Sequence, residues 1–174
     1  VRVSVLGVGS IGSIVASSLA TTAAEVHLHV RGEHGARQML EGLRIEGHKD
    51  LNFEAERFLF SCEELPHEIA LNQGSDLIIL ACKSYDVAHL AQQASAFLKS
   101  DGIAFALSNG LGHVETLART LDPERVLAAS TTHGAFMQVG GPTRWAGYGA
   151  LSLATTPLGP RSEEHTSELQ SLTN

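Results

Sequence analysis

The chain has 174 residues, 43% of them hydrophobic and 18% charged, which is enough to bury a core and excludes a disordered composition. Its net charge of −7 argues against a general nucleic-acid surface while leaving room for a local basic pocket. No apolar run is long enough to span a membrane as a helix, and no signal peptide is expected, because the first residues already read as a core strand.

Val1, Val3, Val5 and Leu6 form a short β-rich run. Gly7, Gly9 and Gly12 follow at G-x-G-x-x-G spacing, and residues 11–19 read as a helix. Strand, tight turn and helix are the context that a dinucleotide fingerprint requires. Gly7 permits the turn, Gly9 lets the backbone approach a pyrophosphate, and Gly12 lets the helix sit close to the strand. Phosphates then meet free N–H groups at the positive end of the helix dipole.

Residues 25–30 read as a second strand, with Val26, Leu28 and Val30 on one face and His27 and His29 on the other. No third ligand lies nearby for a metal, so solvated or edge-strand histidines are expected. Arg31 follows, nineteen residues after Gly12. An acidic residue near this place binds the ribose 2′-hydroxyl of NAD, whereas an Arg accommodates the 2′-phosphate of NADP. A guanidinium suits that phosphate through charge and paired donors. NADP is therefore the expected cofactor, with a pairing of Arg31 to Glu33 as the alternative.

Residues 33–43 are predicted as a helix with Ala36, Met39, Leu40 and Leu43 on its inner face. Residues 43–46 and 51–60 look like short strands of an excursion, in which Phe53, Phe58 and Phe60 pack. Residues 76–82 form the clearest buried strand, its continuous apolar run suiting a parallel strand covered on both faces. Cys82 within it reads as a small buried residue. Cys62 and Cys82 have no metal spacing and fit a reducing, cytoplasmic location better than secretion. Lys83 sits at this strand's carboxyl end, where doubly wound folds bind ligands, and can reach a cofactor phosphate, ribose or bound acid.

A helix over 87–98 places Leu90, Ala91, Ala94 and Leu98 inward, and residues 103–107 form another strand. Asn109 in the next turn offers donor and acceptor together, suited to a nicotinamide-side group or a substrate carbonyl, or else serves as a turn residue before Gly110. A helix over 115–121 and a strand over 126–130 precede residues 131–136, where a substrate cleft should close. Residues 143–145 and 150–153 read as a hairpin edge. Together the elements predict an α/β chain of Rossmann type, doubly wound around a mostly parallel sheet.

Gly7-Val8-Gly9-Ser10-Ile11-Gly12, Arg31-Gly32, Cys82-Lys83-Ser84-Tyr85-Asp86, Ser108-Asn109-Gly110-Leu111-Gly112 and Thr131-Thr132-His133-Gly134-Ala135 come in an order and spacing that resembles ketopantoate reductase, also called 2-dehydropantoate 2-reductase. The resemblance covers residues 1 to about 158 and corresponds to that family's N-terminal half. It implies an NADPH-dependent reduction of ketopantoate to pantoate, toward pantothenate and coenzyme A. It implies that Gly7, Val8, Gly9, Ser10, Ile11 and Gly12 hold the pyrophosphate and Arg31 the 2′-phosphate. Lys83 and Asn109 would line the nicotinamide side, Asn109 also near substrate, and Ala135 would contact the cofactor through its backbone. His133 matches a family position and is expected to be structural. The resemblance implies that the catalytic lysine and the substrate anchors lie on a helical C-terminal domain, expected to be absent from these 174 residues, so no catalytic residue is expected in this chain, and Lys83 is not that lysine. Two alternatives are another 2-oxo-acid or 3-hydroxy-acid dehydrogenase with a similar first domain, and a non-catalytic NADP-binding module.

The expected dinucleotide-binding domain is residues 1–160. Residues 161–174 are polar, lack a core period, and over 161–171 resemble a frame translation of a widely used sequencing-library adapter, so a non-native or disordered tail is expected. The first residue is Val rather than Met, for which a missing start or an alternative initiation codon is expected. A small 2-oxo acid is the expected partner, and no preference for an oligomeric state is legible.

Overall fold

The computed structural model describes residues 1–65, 73–108, 112–155 and 157. In chain order the elements begin with β1 (Arg2–Leu6), α1 (Ser10–Ala20), β2 (Glu25–His29), α2 (Gly32–Glu41), β3 (Leu43–Gly47), β4 (Leu51–Phe53), β5 (Leu59–Ser61) and β6 (Ser75–Leu80). There follow α3 (Val87–Phe97), β7 (Leu98–Ala106), α4 (His113–Thr120), β8 (Val126–Leu127), β9 (Ala129–Thr131), β10 (Gly134–Met137), β11 (Thr143–Gly147) and β12 (Leu151–Leu153).

A six-stranded sheet has the order β5-β2-β1-β6-β7-β8, and each neighbouring pair is parallel. Strand order therefore reverses between β1 and β6, the doubly wound arrangement that opens a crevice at the carboxyl ends of those two strands. Both strands are covered on both faces, which is why their sequences read as apolar runs. Leu6, Ile78 and Leu80 pack against α3 and α4 through Leu90, Ala94 and Leu117. On the opposite face Val3 and Ile79 meet Val15 and Leu19 of α1, and Val5 and Leu28 meet Ala16 and Ala20.

A second sheet, ordered β10-β11-β3-β4, lies over the outer side of α1. Ile14 of α1 packs there against Ile45 and Trp145. The small residues Gly12, Ser13, Ala16, Ser17 and Ala20 are all buried, which is what lets one helix fit between two sheets. Among the described residues no helix is long and apolar enough to cross a membrane.

Several expectations need correcting. β5 is not part of an excursion but the edge of the main sheet, paired to β2. Residues 143–145 and 150–153 do not pair with each other: β11 joins β10 and β3, while β12 joins β9. Burial of Trp145 beside Ile14 and Ile45 draws β11 into the second sheet. The helix α2 is rotated from its predicted face, so that Gln38 is buried while Ala36 and Leu40 are exposed. Gly35 sets that rotation: a Cβ there would stand 2.8 Å from the Cβ of Val30, so this side of the helix lies hard against the end of β2. Cys82 lies beyond the end of β6 rather than within it, in a half-buried turn.

His27 and His29 depart furthest from expectation. They are buried, because β5 covers the flank of β2 and Phe97 covers their face, its ring centroid 5.0 Å from His27 and 5.6 Å from His29. Buried imidazoles require partners. Ser75 Oγ lies 2.6 Å from Ser4 Oγ, which lies 2.8 Å from His27 Nδ1. Ser61 Oγ lies 2.8 Å from His27 Nε2 and 2.9 Å from His29 Nδ1. The result is a hydrogen-bonded strip across four strands. Ser61→Ala, which removes the hydroxyl shared by two buried imidazoles, should lower unfolding free energy by about 1–3 kcal/mol. A urea transition at the wild-type midpoint would contradict this.

Candidate functional site

The carboxyl ends of β1 and β6 open into a cleft of about 810 Å³. One wall is the turn from Gly7 to Ile11, a second is the segment from Ala81 to Asp86, and β10 adds Ala135, Phe136 and Met137 on the far side. His29, Arg31, His34 and Gln38 close the end beyond β2.

The three glycines of the turn are required for three different reasons. Gly7 has φ +84°, a left-handed conformation, and a Cβ there would meet the Cβ of Cys82 at 2.9 Å. A Cβ on Gly12 would lie 2.4 Å from the carbonyl oxygen of Gly7, so α1 starts in close contact with the strand it leaves. A Cβ on Gly9 would meet nothing within 4 Å. That open space lies at the start of α1, whose first N–H groups have no partner within the helix and whose first turn holds no acidic side chain. An anion placed over Gly9 therefore meets aligned donors and the positive end of the helix. Gly12 does not face the cleft; its place beneath the turn is the packing role expected of it.

The turn is pinned from outside. Gln38 Nε2 donates to the Val8 carbonyl at 3.0 Å and to Ser13 Oγ at 3.2 Å. Gln38 Oε1 and His34 Nε2 are buried in the cleft wall without a hydrogen-bond partner among the described residues. Such atoms suit a polar ligand entering the cleft. The available sequence signal for the pair is its i, i+4 spacing, which puts both on one face of α2.

Arg31 stands where the reading of β2 puts it, at the cleft rim, but does not pair with Glu33. Its Nη1 donates to Asp86 Oδ1 at 3.1 Å and its Nη2 to Asp86 Oδ2. The carboxylate raises the guanidinium pKa further, chiefly through this hydrogen bond. Lys83 lies on the same segment and faces the cleft. Ser108 Oγ donates to the Cys82 carbonyl at 2.8 Å and ties the next strand's exit to this segment. Asn109 lies outside the described residues, as do residues 161–174. Burial pushes the Cys82 thiol up to about 11, so it is a neutral wall residue near pH 7. His133 is not in the cleft: its Nδ1 accepts from the Gly149 N–H at 3.0 Å, and its ring meets Trp145 edge-on at 5.3 Å.

With this geometry, comparison with known proteins is decisive. A model of the family described as ketopantoate reductase PanE/ApbA matches residues 3–157. The chain belongs to that family. Among ketopantoate reductases it is 30% identical over 158 residues to the 2-dehydropantoate 2-reductase of Pyrococcus abyssi, covering 91% of this chain and 49% of the relative. It is 34% identical over 155 residues to that of Halobacterium salinarum, covering 87% and 48%. The chain thus spans about half the length of the curated ketopantoate reductases it matches. Its fold is similar to a ternary structure of D-mandelate dehydrogenase with NADH and anilino(oxo)acetate, with a TM-score of 0.78, 21% identity, and coverage of 98% of this chain and 53% of that one. It is also similar to the 2-dehydropantoate 2-reductase of Geobacter metallireducens, with a TM-score of 0.75, 21% identity, and coverage of 99% and 54%.

The glycines yield a contrast in stability. Gly12→Ala drives a methyl group into a backbone carbonyl and should cost several kcal/mol, on the scale of severe overpacking or worse. Gly9→Ala should stay within about 0.5 kcal/mol of wild type. Thermal melts of the two variants check this, and equal losses would contradict it. Acid should also weaken the fold. Burial holds His29 and His34 below the ordinary value of 6.5, in each case as the largest influence. The unfolded chain then binds more protons below that pH. The histidines' contribution is complete above 6.5 and is lost as pH falls through their folded values. Urea midpoints should drop between about pH 7 and 5, with a shallower slope in His34→Gln; a flat profile would contradict this.

Proposed function

We propose that this chain is the cofactor-binding half of an NADPH-dependent 2-dehydropantoate 2-reductase that converts ketopantoate to pantoate in the cytoplasm, a step toward pantothenate and coenzyme A. The observation that carries the reading is the convergence of the Gly7–Ile11 turn, Arg31 and Lys83 on one cleft at the sheet's switch point. The cleft fits such a dinucleotide: space over Gly9, a helix start free of acid, and two cations at the rim.

In this reading the N–H groups of Ser10 and Ile11 hold the pyrophosphate, with Val8 fixed by Gln38 so that the turn is already shaped to receive it. Arg31 takes the 2′-phosphate, and Lys83 and Asn109 line the nicotinamide side, Asn109 beside the substrate carbonyl. The backbone of Ala135 bounds the cleft opposite. When bound, the nicotinamide supplies the hydride. No residue of this chain is assigned the proton for the ketone; in the family reading that belongs to a lysine beyond the matched half. The chain alone is therefore expected to bind cofactor without turnover, since nothing among its described residues closes over and orients a ketone.

A second reading, NADH-dependent reduction of another 2-oxo acid, is favoured by one observation: Asp86 occupies the end of the Arg31 fork. Fluorescence titration with NADPH and NADH separates the two. NADPH should bind more tightly, and Gly9→Ala should weaken it by about tenfold or more, the scale of one charge-assisted hydrogen bond. NADPH oxidation with ketopantoate should stay at background. Tighter NADH binding would overturn the cofactor assignment, and steady turnover would overturn the expected inactivity.

A further inference from the structure

The Arg31–Asp86 pair sits at the place where cofactor selectivity is set. A guanidinium offers two edges for bidentate binding, one between Nη1 and Nη2 and one including Nε. Asp86 occupies the first. The Arg31 side chain is 59% exposed and that of Asp86 only 14%. Asp86 is also the less movable partner. Its backbone N–H donates to the Lys83 carbonyl at 2.9 Å, and the next residue, Val87, is fully buried at the start of α3. A dianion arriving at Arg31 thus meets a carboxylate that cannot withdraw far, and Glu63 adds a second acidic side chain to the same cleft.

We propose that Asp86 is a specificity-determining residue that works against Arg31, weakening the binding of a 2′-phosphorylated dinucleotide while leaving an acceptor for a free ribose 2′-hydroxyl. The inference rests on the reading of the cleft as a nicotinamide-dinucleotide site with Arg31 at the 2′ position. Carboxylate and phosphate sharing one guanidinium lie on the order of 6 Å apart, where a single charge against a dianion in water costs up to about a tenfold change in affinity, less with salt. With the Arg31 side chain largely exposed, the ion pair contributes little stability, so its removal should leave the fold intact.

The test is titration of the full chain, Asp86→Asn and Asp86→Ser with NADPH and with NADH, at low and high salt, with thermal melts to confirm folding. Either substitution should lower the Kd for NADPH about three- to tenfold at low salt and by less at high salt, without tightening NADH. Unchanged or weaker NADPH binding in the folded variants, or equal tightening of both cofactors, would overturn the proposal. Arg31→Gln separates the two levels of the argument. If it leaves the NADPH-to-NADH ratio unchanged, the underlying assignment of Arg31 fails, and the role of Asp86 with it. If it collapses the ratio while both Asp86 variants behave as wild type, only the role of Asp86 fails.

Discussion

The closeness of α1 to β1 governs the rest of the molecule. With the Gly7 carbonyl 2.4 Å from where a Gly12 Cβ would stand, only a residue without a side chain fits at the start of this helix. The approach fixes where the helix points, and therefore where its unpaired N–H groups are presented. It also determines the helix's composition. A helix held this near one sheet and roofed by another has room for Ser13, Ala16, Ser17 and Ala20 on its flanks, and places Ile14 where it meets Ile45 and Trp145. The second sheet stabilises a helix that the main sheet alone would cover on one side.

The cleft's electrostatics are less simple than a positive pocket for a negative ligand. Arg31 and Lys83 face it, but so do Asp86 and Glu63. The two histidines beside them are held toward their neutral forms by burial. In the proposed function, attraction for phosphates is thereby shifted from net charge to directed donors: the start of α1 and a fork whose end is already engaged. Such a site reads the position of phosphates more than their number.

Much of this was legible in the sequence. Gly7, Gly9, Arg31, Lys83 and Ala135 are brought to one cleft as the motif order implies, and the apolar runs at β1 and β6 mark the two strands whose ends form it. Periodicity failed where a long-range contact overrode it. The face of α2 is set by Gly35 against Val30, five residues away in sequence but dependent on how the helix returns over the sheet. The partners of β11 follow from the burial of Trp145, which no local pattern announces. His27 and His29 look solvated because imidazoles on alternate positions usually are; their burial depends on Ser4, Ser61 and Ser75, residues that only the strand order brings alongside. Asp86 lies within the recognised motif, yet its hold on Arg31, fifty-five residues earlier, is a property of the fold.

The strip of serines and histidines beneath the cleft has a property of its own. Each hydroxyl has one proton to give, and each neutral ring gives from one nitrogen and accepts at the other. If Ser61 donates to His29, then His27 donates to Ser61, Ser4 donates to His27, and Ser75 donates to Ser4. If His29 donates instead, Ser61 is free to donate to His27, which then donates to Ser4. The directions of these protons are therefore coupled rather than independent. The tautomer of His29, in the cleft wall on β2, is thereby linked to the direction of a hydroxyl on β6, two strands away.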